Sequence, residues 1–368
     1  MLSWRDTGNP EGGGAEVYLR QAAEGLVEQG TRVTVFTARY PGAAAREVVD
    51  GVRYVRRGGK LSVYLWGMAL VLLGRLGPLG RFDAVVDVQN GLPFLSRLVT
   101  RRPVLVLVHH THREQWPIVY PGAMGRLGWW IEGTLAPRLY RRCQYLTVSW
   151  ASRDELAGLG VDEERIAVVH NGTAPQSGAA EKSAEPSMCV VGRLVPHKRV
   201  EHAIDALVAL RGRVPGLTLS VVGSGWWEQE LRDYAARAGA DVVFTGYVSE
   251  EELQAIYARS WVMALPSLKE GWGLVVGEAG AHATPVVAYR AAGGTQESVE
   301  HGISGLLADD FDEFVAALET VLTDDVERKE LAQGAQTLSR HYDWTRMRSG
   351  FVAVVAAVLR GDRVSGRV

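Results

Sequence analysis

WVMALPSLKEGWGLVVGEAGAHATPVVAY, residues 261–289, decides the fold of this chain. WVMALPS (261–267) reads as a buried strand closed by Pro266, LVVGEAGAHA (274–283) as an apolar helix, and PVVAY (285–289) as the next strand. Gly271 and Gly273 fall at the strand-to-helix junction. Glycine there lets the backbone turn sharply and brings bare amides close to an anion, and a helix N-terminus adds about half a positive charge. Glu270 precedes the helix and Glu278 lies inside it, so at ~1.5 Å per residue their backbones stand ~12 Å apart. A single ligand touching both must be long. A nucleotide sugar fits, with ribose at one carboxylate, the transferred sugar at the other and the pyrophosphate on the glycine amides between them. The plainer alternative is a solvated loop glutamate and a half-buried helix glutamate paired with an arginine.

Outward from this segment, strands and helices alternate through the whole chain. In the first half VYLRQAAEGLVEQG (17–30) is a helix stopped by Gly30, and TRVTVFTA (31–38), FDAVVDV (82–88) and PVLVLVHH (103–110) are strands. A helix around 124–142, the strand QYLTVS (144–149), a helix from Ser152 and the strand IAVVHNG (166–172) follow. APQSGAAEKSAEPS (174–187) is small, polar and proline-containing, which predicts a linker. Beyond it come SMCVVGRL (187–194), a helix over 199–213, LTLSVVG (217–223), a helix over 227–238, VVFTG (242–246) and a helix from Ser249 to Ala258. Such alternation predicts parallel, doubly wound α/β sheets in two Rossmann-like domains, whose ligands bind beyond the carboxyl ends of the strands, in the cleft between domains. The expected boundaries are 1–173, a linker 174–187, 188–340, and a terminal helix within 341–368 that packs back across the junction.

Composition excludes several function classes. The chain has 368 residues, is 47% hydrophobic and carries a formal charge of −2, so bulk charge does not point to nucleic acid. Cys143 and Cys189 are the only cysteines, too few for a disulfide framework or a cysteine metal site. MLSWRDTGNPEGGG lacks the apolar core of a signal peptide, and a cytoplasmic protein is expected. LSVYLWGMALVLLGRLGPLG (61–80) is interrupted by Arg75 and glycines and is too short an apolar run to span a bilayer. It reads as a buried helix, with a greasy-acceptor site or a resting place on a membrane surface as the alternative.

Three further motifs bear on chemistry. GRLVPHKRVEHAI (192–204) follows a strand and opens a helix, placing Arg193 and Lys198 where two cations could neutralise a diphosphate leaving group. GGGAE (12–16) is a glycine-rich turn before the first helix, able to offer amides to phosphate. HHTHREQW (109–116) clusters histidines after a strand, with Glu114 as the one nearby carboxylate for a metal reading. Neither half shows a G-x-G-x-x-G turn after its first strand, against a dinucleotide oxidoreductase.

Together, GGAE near the start, GRL followed by HKR, and the E-x7-E of EGWGLVVGE resemble the retaining GT-B glycosyltransferases of family 4. AYRAAGGTQESVEHGISGLL (288–307) and DWTRM (343–347) share the likeness, which covers nearly the whole chain. The resemblance implies a GT-B fold, two Rossmann-like domains facing a cleft, and metal-independent, cofactor-free transfer of a sugar from a UDP- or GDP-linked donor with retained configuration. By position it implies that Arg193 and Lys198 bind the pyrophosphate and that Gly13 and Gly14 add amides from the facing domain. Glu270 would hold the donor sugar and Glu278 the ribose. Backbone around Gly273 and Leu274 would cradle phosphate, Gly271 and Trp272 would be further donor contacts, and Tyr247 and Val248 would border the base. His109, with His110 as the alternative, would contact the sugar at the reacting centre, while His110, His112 and Trp116 would form the rim of an acceptor pocket. The acceptor class is a glycan, a lipid-linked sugar or a small aglycone, with peripheral membrane contact as a further partner. An epimerase or hydrolase of the same fold, or a non-catalytic nucleotide-sugar binder, are the alternatives. The sequence departs from the family at Ala283, where glycine is usual, and at MLSW, shorter than the usual first strand and a challenge to packing at the sheet edge.

Overall fold

The computed structural model describes residues 1–175 and 181–368. It divides into two compact units, Met1–Asn171 with Trp344–Val368, and Gly172–Asp343.

The first unit begins with α1 (Gly14–Glu28), β1 (Thr34–Thr37), β2 (Arg46–Val49) and β3 (Val52–Arg56). Then come α2 (Ser62–Leu73), β4 (Val85–Gln89), β5 (Val104–Val108), α3 (Trp116–Val119) and α4 (Ala123–Trp130). A π-helical turn (Ile131–Leu135), α5 (Ala136–Leu139), β6 (Gln144–Thr147), α6 (Trp150–Gly158) and β7 (Ile166–Val168) complete this part. Strands β4 to β7 pair in parallel in chain order. Strand β5, VLVLV, is buried at every position, as a parallel strand covered on both faces must be.

Strands β1 and β3 pair in parallel and β2 closes antiparallel on β3. The sequence reading passed over this hairpin, although Asp50-Gly51 marks it: both residues have positive φ, the backbone that a two-residue hairpin turn requires. Leu2 joins the two groups of strands by single bridges to Phe36 and Asp87. The short opening segment therefore lies in the middle of the sheet and not at its edge: Leu2, 2% exposed, donates to the Val86 carbonyl and accepts from Val88 N–H, while Ser3 N–H donates to the Phe36 carbonyl and Phe36 N–H to the Met1 carbonyl on the other side. A long strand is unnecessary there because its neighbours on either side supply the pairing.

The predicted buried helix over 61–80 is corrected. Regular α-helix spans only Ser62–Leu73, and Val63, Gly67, Leu70 and Val71 form its one buried face. The opposite face is in solvent.

The second unit comprises β8 (Ser187–Val191), α7 (Val200–Leu210), β9 (Thr218–Val222), α8 (Glu228–Arg237), β10 (Val242–Gly246), α9 (Glu250–Arg259) and β11 (Val262–Leu265). It continues with α10 (Leu274–Ala281), β12 (Val286–Tyr289), α11 (Thr295–Ser298), β13 (Gly305–Ala308), α12 (Phe311–Thr323) and α13 (Asp325–His341). Its sheet has the order β10-β9-β8-β11-β12-β13, parallel throughout. Alternate residues of β8 enter different cores: Met188 and Val190 pack with Leu219 and Phe314, and Cys189 and Val191 with Met263 and Val276. The chain runs outward from β8 in one direction and returns to β11 for the other, so the loops after β8 and β11 meet at the topological switch point.

The predicted linker 174–187 is also corrected in part; residues 176–180 lie outside the described residues. Ser187 already belongs to β8, and Lys182 donates to the Ser260 carbonyl at 2.8 Å and to Thr284 Oγ1 at 2.5 Å. Burial pushes that ammonium down to about 8. After Asp343 the chain rejoins the first unit through α14 (Trp344–Arg360) and β14 (Gly366–Arg367). Helix α14 packs on α1, where Arg348 reaches Gln21 at 2.7 Å and Glu24 at 2.5 Å, and β14 pairs with β7.

Candidate functional site

The switch point of the second unit gathers Arg193, Lys198, Glu270 and the glycine-flanked start of α10. Lys198 ends a short 3-10 turn (Pro196–Lys198) after β8, and Arg199, at φ 48°, turns the chain into α7. Glu270 lies in the loop after β11. That loop is strapped on both sides: Leu268 N–H donates to the His197 carbonyl at 2.8 Å, and Glu270 N–H donates to the Ala292 carbonyl at 2.8 Å. Gly294 N–H returns a bond to the Glu270 carbonyl at 3.0 Å, so close that a Cβ at residue 294 would meet the Gly271 oxygen at 2.1 Å. The AAGGT segment is glycine-rich for that reason.

Lys198 Nζ and Glu270 Oε1 stand 2.5 Å apart, with side chains 19% and 11% exposed. The two residues expected to touch different parts of one ligand thus bond to each other. Burial opposes the charge on Glu270, but the Lys198 ammonium and hydrogen bonds overcome it and hold the carboxyl below its ordinary range. Three residues on, Gly273 adopts φ 84° and caps the N-terminus of α10, whose amides start at Leu274. Arg193 is exposed in the same region, beside the buried Leu194, whose N–H donates to the Ser224 carbonyl at 3.0 Å.

The remaining predicted donor contacts are distributed differently. Glu278 accepts from the Tyr257 hydroxyl at 2.8 Å, and burial lifts its carboxyl above the usual range although that bond works the other way. Tyr247 is 90% exposed just beyond β10, and Val248 packs partly into the core beneath. Trp272, expected among the donor contacts, has its ring 4% exposed and turned inward, edge-on to Tyr342 at 4.8 Å. Its neighbour Gly271 is buried too, which leaves backbone as their means of contact.

In the first unit the glycine turn is held by charges that the sequence reading did not weigh. Glu16 accepts from Gly13 N–H at 2.7 Å and from Arg5 Nε at 3.0 Å, closing a cap on α1 whose first residue is Gly14. His109 is the first residue beyond β5 and is 7% exposed. Its carbonyl accepts from Ser152 Oγ at 2.9 Å, its ring meets Tyr18 edge-on at 5.2 Å, and Nε2 has no hydrogen-bond partner among the described residues. Burial, aided by His112, depresses its pKa to about 4, so the ring is neutral at neutral pH.

The residues expected as an acceptor rim form a network instead. His112 contacts Glu132 Oε1 at 3.0 Å through Nδ1 and Asn90 Oδ1 at 3.0 Å through Nε2. Trp116 is 9% exposed and donates its indole N–H to Glu132 Oε2 at 2.6 Å, so its ring is a strut and not a rim. His110 reaches Gln115 at 3.1 Å and lies 4.4 Å from the His112 ring. Glu114 is exposed, and among the described residues no group of three His, Cys, Asp or Glu could hold a metal ion. Glu132, fully buried on the π-helical turn, was invisible to sequence periodicity, whereas Glu16 stood three residues after Gly13 at a capping-box spacing that could have identified it.

Comparison with known proteins follows this division. Residues 12–177 match the family described as Glycosyltransferase Family 4, and residues 176–338 match Glycosyl transferases group 1. The chain is similar to the GDP-mannose-dependent alpha-(1-6)-phosphatidylinositol monomannoside mannosyltransferase of Mycolicibacterium smegmatis, at 30% identity over 96% of both chains. A glycogen synthase of Mycobacterium tuberculosis is 32% identical over 71% of this chain and 67% of its own. Among solved structures, sucrose-phosphate synthase from Thermosynechococcus elongatus superposes with a TM-score of 0.76 at 20% identity, covering 98% of each chain. HepE of Anabaena in complex with UDP-glucose gives 0.73 at 20% identity, covering 97% of this chain and 98% of that one.

Proposed function

This chain belongs to the group 1 glycosyl transferases of family 4 and has their GT-B fold, and from that membership we propose that it moves a sugar from a UDP- or GDP-linked donor to an acceptor hydroxyl, with retention and without a metal. The observation that carries the reading is the Lys198–Glu270 pair at the switch point, beside the glycine-capped N-terminus of α10. A cation, a carboxylate and helix amides together match a ligand that is anionic at one end and rich in hydroxyls at the other. The donors named for the relatives, GDP-mannose for the mycobacterial enzyme and UDP-glucose in the HepE complex, support that ligand class.

In this reading, charge builds on the departing diphosphate as the acceptor hydroxyl attacks from the face the nucleotide leaves. Lys198, Arg193 and the α10 amides stabilise that charge. A phosphate oxygen of the leaving group takes the acceptor proton, so no side-chain base is required. Donor binding draws Lys198 toward phosphate and frees Glu270 for sugar hydroxyls, while Glu278 holds the ribose. The neutral ring of His109 offers its unpaired Nε2 to a sugar hydroxyl, and the amide of Gly14 adds to the phosphate contacts.

The test is a thermal-shift screen against UDP- and GDP-linked sugars, followed by transfer assays with and without EDTA and by anomeric analysis of the product. Stabilisation by one nucleotide sugar, EDTA-resistant transfer and a retained anomer are expected, and Glu270→Ala should abolish transfer with the fold intact. Near-normal turnover in Glu270→Ala sinks the residue assignment. Donor conversion without acceptor points instead to epimerisation or hydrolysis.

A further inference from the structure

Helix α2 has no charged residue and is apolar on every side, the composition of a helix enclosed in a core. It is enclosed on one side only. Leu61, Leu65, Leu72, Leu73 and Leu76, on α2 and the turns at its ends, are 66%, 72%, 70%, 50% and 87% exposed. Positions 61, 65 and 72 recur at helical spacing, so these leucines form one stripe opposite the buried Val63, Gly67 and Leu70, and Gly74, at φ 51°, ends the helix before Leu76. A patch of this kind on a soluble surface marks a contact with something apolar.

Charge around the stripe defines what that contact is. Between residues 57 and 113 the chain carries Arg and Lys at 57, 60, 75, 81, 97, 101, 102 and 113 against two carboxylates, Asp83 and Asp87. Asp87 is fully buried and consumed by Phe94, Ser96 and Tyr140, so it offers no charge to the surface. At the end of α2 a groove of about 650 Å³ is lined by Leu72, Arg75, Arg81, Phe82, Arg101 and Arg102 among others. Those four arginines have no carboxylate partner within salt-bridge reach among the described residues. Leu98, 61% exposed, stands on the neighbouring turn with Arg97. This concentration of positive charge sits in a chain whose formal net charge is −2.

We propose that this face of the first unit docks on an anionic lipid bilayer, with the leucine stripe of α2 entering the acyl boundary and the arginines around its end engaging lipid phosphates. At ~1.5 Å per residue the twelve residues of α2 extend ~18 Å, too little to cross a hydrocarbon core of ~30 Å, and no helix among the described residues is long and apolar enough to do so. The helix therefore lies in the interface plane, where apolar burial and phosphate attraction act together. The guanidinium groups reach the headgroups on extended side chains while the leucines enter beneath them. A protein or nucleic-acid partner fits less well, because the apolar stripe and the arginine cluster are adjacent and separate, as the layers of a membrane surface are.

The experiment is co-sedimentation of the full-length protein with vesicles of equimolar phosphatidylglycerol and phosphatidylcholine, compared with vesicles of phosphatidylcholine alone. No nucleotide sugar takes part, so the result is independent of the transfer reaction. Binding is expected to be at least about tenfold stronger to the anionic vesicles and to weaken in ~0.5 M salt. Arg101→Glu with Arg102→Glu should lower it about tenfold or more, and Leu72→Ser with Leu76→Ser should do the same on anionic vesicles. Because all four side chains are exposed, both variants should retain the parent melting temperature. Equal binding to both vesicle types, no sedimentation with either, or folded variants that bind like the parent would overturn the proposal. So would a dimer in solution that the leucine variant dissociates, since the stripe would then belong to a second copy.

Discussion

Each unit is organised round a parallel sheet and brings opposite charges together beyond its strands, but the first closes those charges on themselves and the second leaves them where a ligand can reach. In the first, Arg56 meets Asp6 at 2.6 Å and Arg5 meets Glu16 at 3.0 Å, with every one of these side chains 5% exposed or less. In the second, Lys198 and Glu270 meet at the switch point with 19% and 11% of their side chains exposed. Removing one partner of a sealed pair strands a charge in a poor solvent, whereas a half-open pair can exchange partners with a substrate. The first arrangement serves the fold, and the second is the one on which the proposed transfer draws.

Breaking a sealed pair should therefore produce the largest loss of stability. Arg56→Met leaves Asp6 buried without its cation and should cost about 3–5 kcal/mol in urea unfolding. A loss below about 1 kcal/mol would place this pair in the same class as the open one. Lys198→Ala should act chiefly on activity, lowering kcat/KM about 10²–10³-fold while the urea midpoint falls less than in Arg56→Met. Unfolding of this variant in parallel with its activity loss would remove the contrast between the units.

His109 gives an effect of intermediate size. Its folded pKa of about 4 lies below the ordinary 6.5, so the unfolded chain binds the extra proton between those values and stability falls as pH drops through that window. The loss amounts to about 3 kcal/mol for complete passage through the window. His109→Asn should have a flatter stability profile than the parent from pH 6.5 to 4, so that the difference between the two proteins changes across that window. Identical slopes for the two proteins would show that the ring is not held neutral. Smallest is Ala283→Gly: Ala283 adopts φ 53°, a left-handed turn between α10 and β12 that glycine occupies without strain. Unfolding stability should rise by about 0.5–1 kcal/mol, less than the steric relief alone because glycine loosens the unfolded chain.

Local pattern made the second unit legible as far as Tyr289, whereas α11, β13, α12 and α13, over Thr295–His341, were not among the expected elements. Its strands are short apolar runs and the glycines at its loops stand where the backbone turns or passes close, so Glu270, Lys198 and Gly273 could be placed on the carboxyl side of their strands from sequence. The inward turn of Trp272 could not, since an aromatic beside a glycine looks the same whether it faces Tyr342 or solvent. In the first unit Asp50-Gly51 was a readable hairpin signal passed over, whereas Glu132 lies among tryptophans and glycines on a π turn that no periodicity announces. The exposure of α2 was hidden for a related reason: an all-apolar segment predicts burial from composition, and only its neighbours decide which side they cover.

By itself the sequence determined the α/β alternation, the family motifs and which residues stand at strand ends, because these follow from apolar period and turn chemistry along the chain. Tertiary structure decided which charges meet. Arg5 with Glu16, Arg56 with Asp6, Lys198 with Glu270 and Glu278 with Tyr257 pair by where the strands and helices place them, and sheet order is fixed by long-range packing that spacing along a chain does not encode.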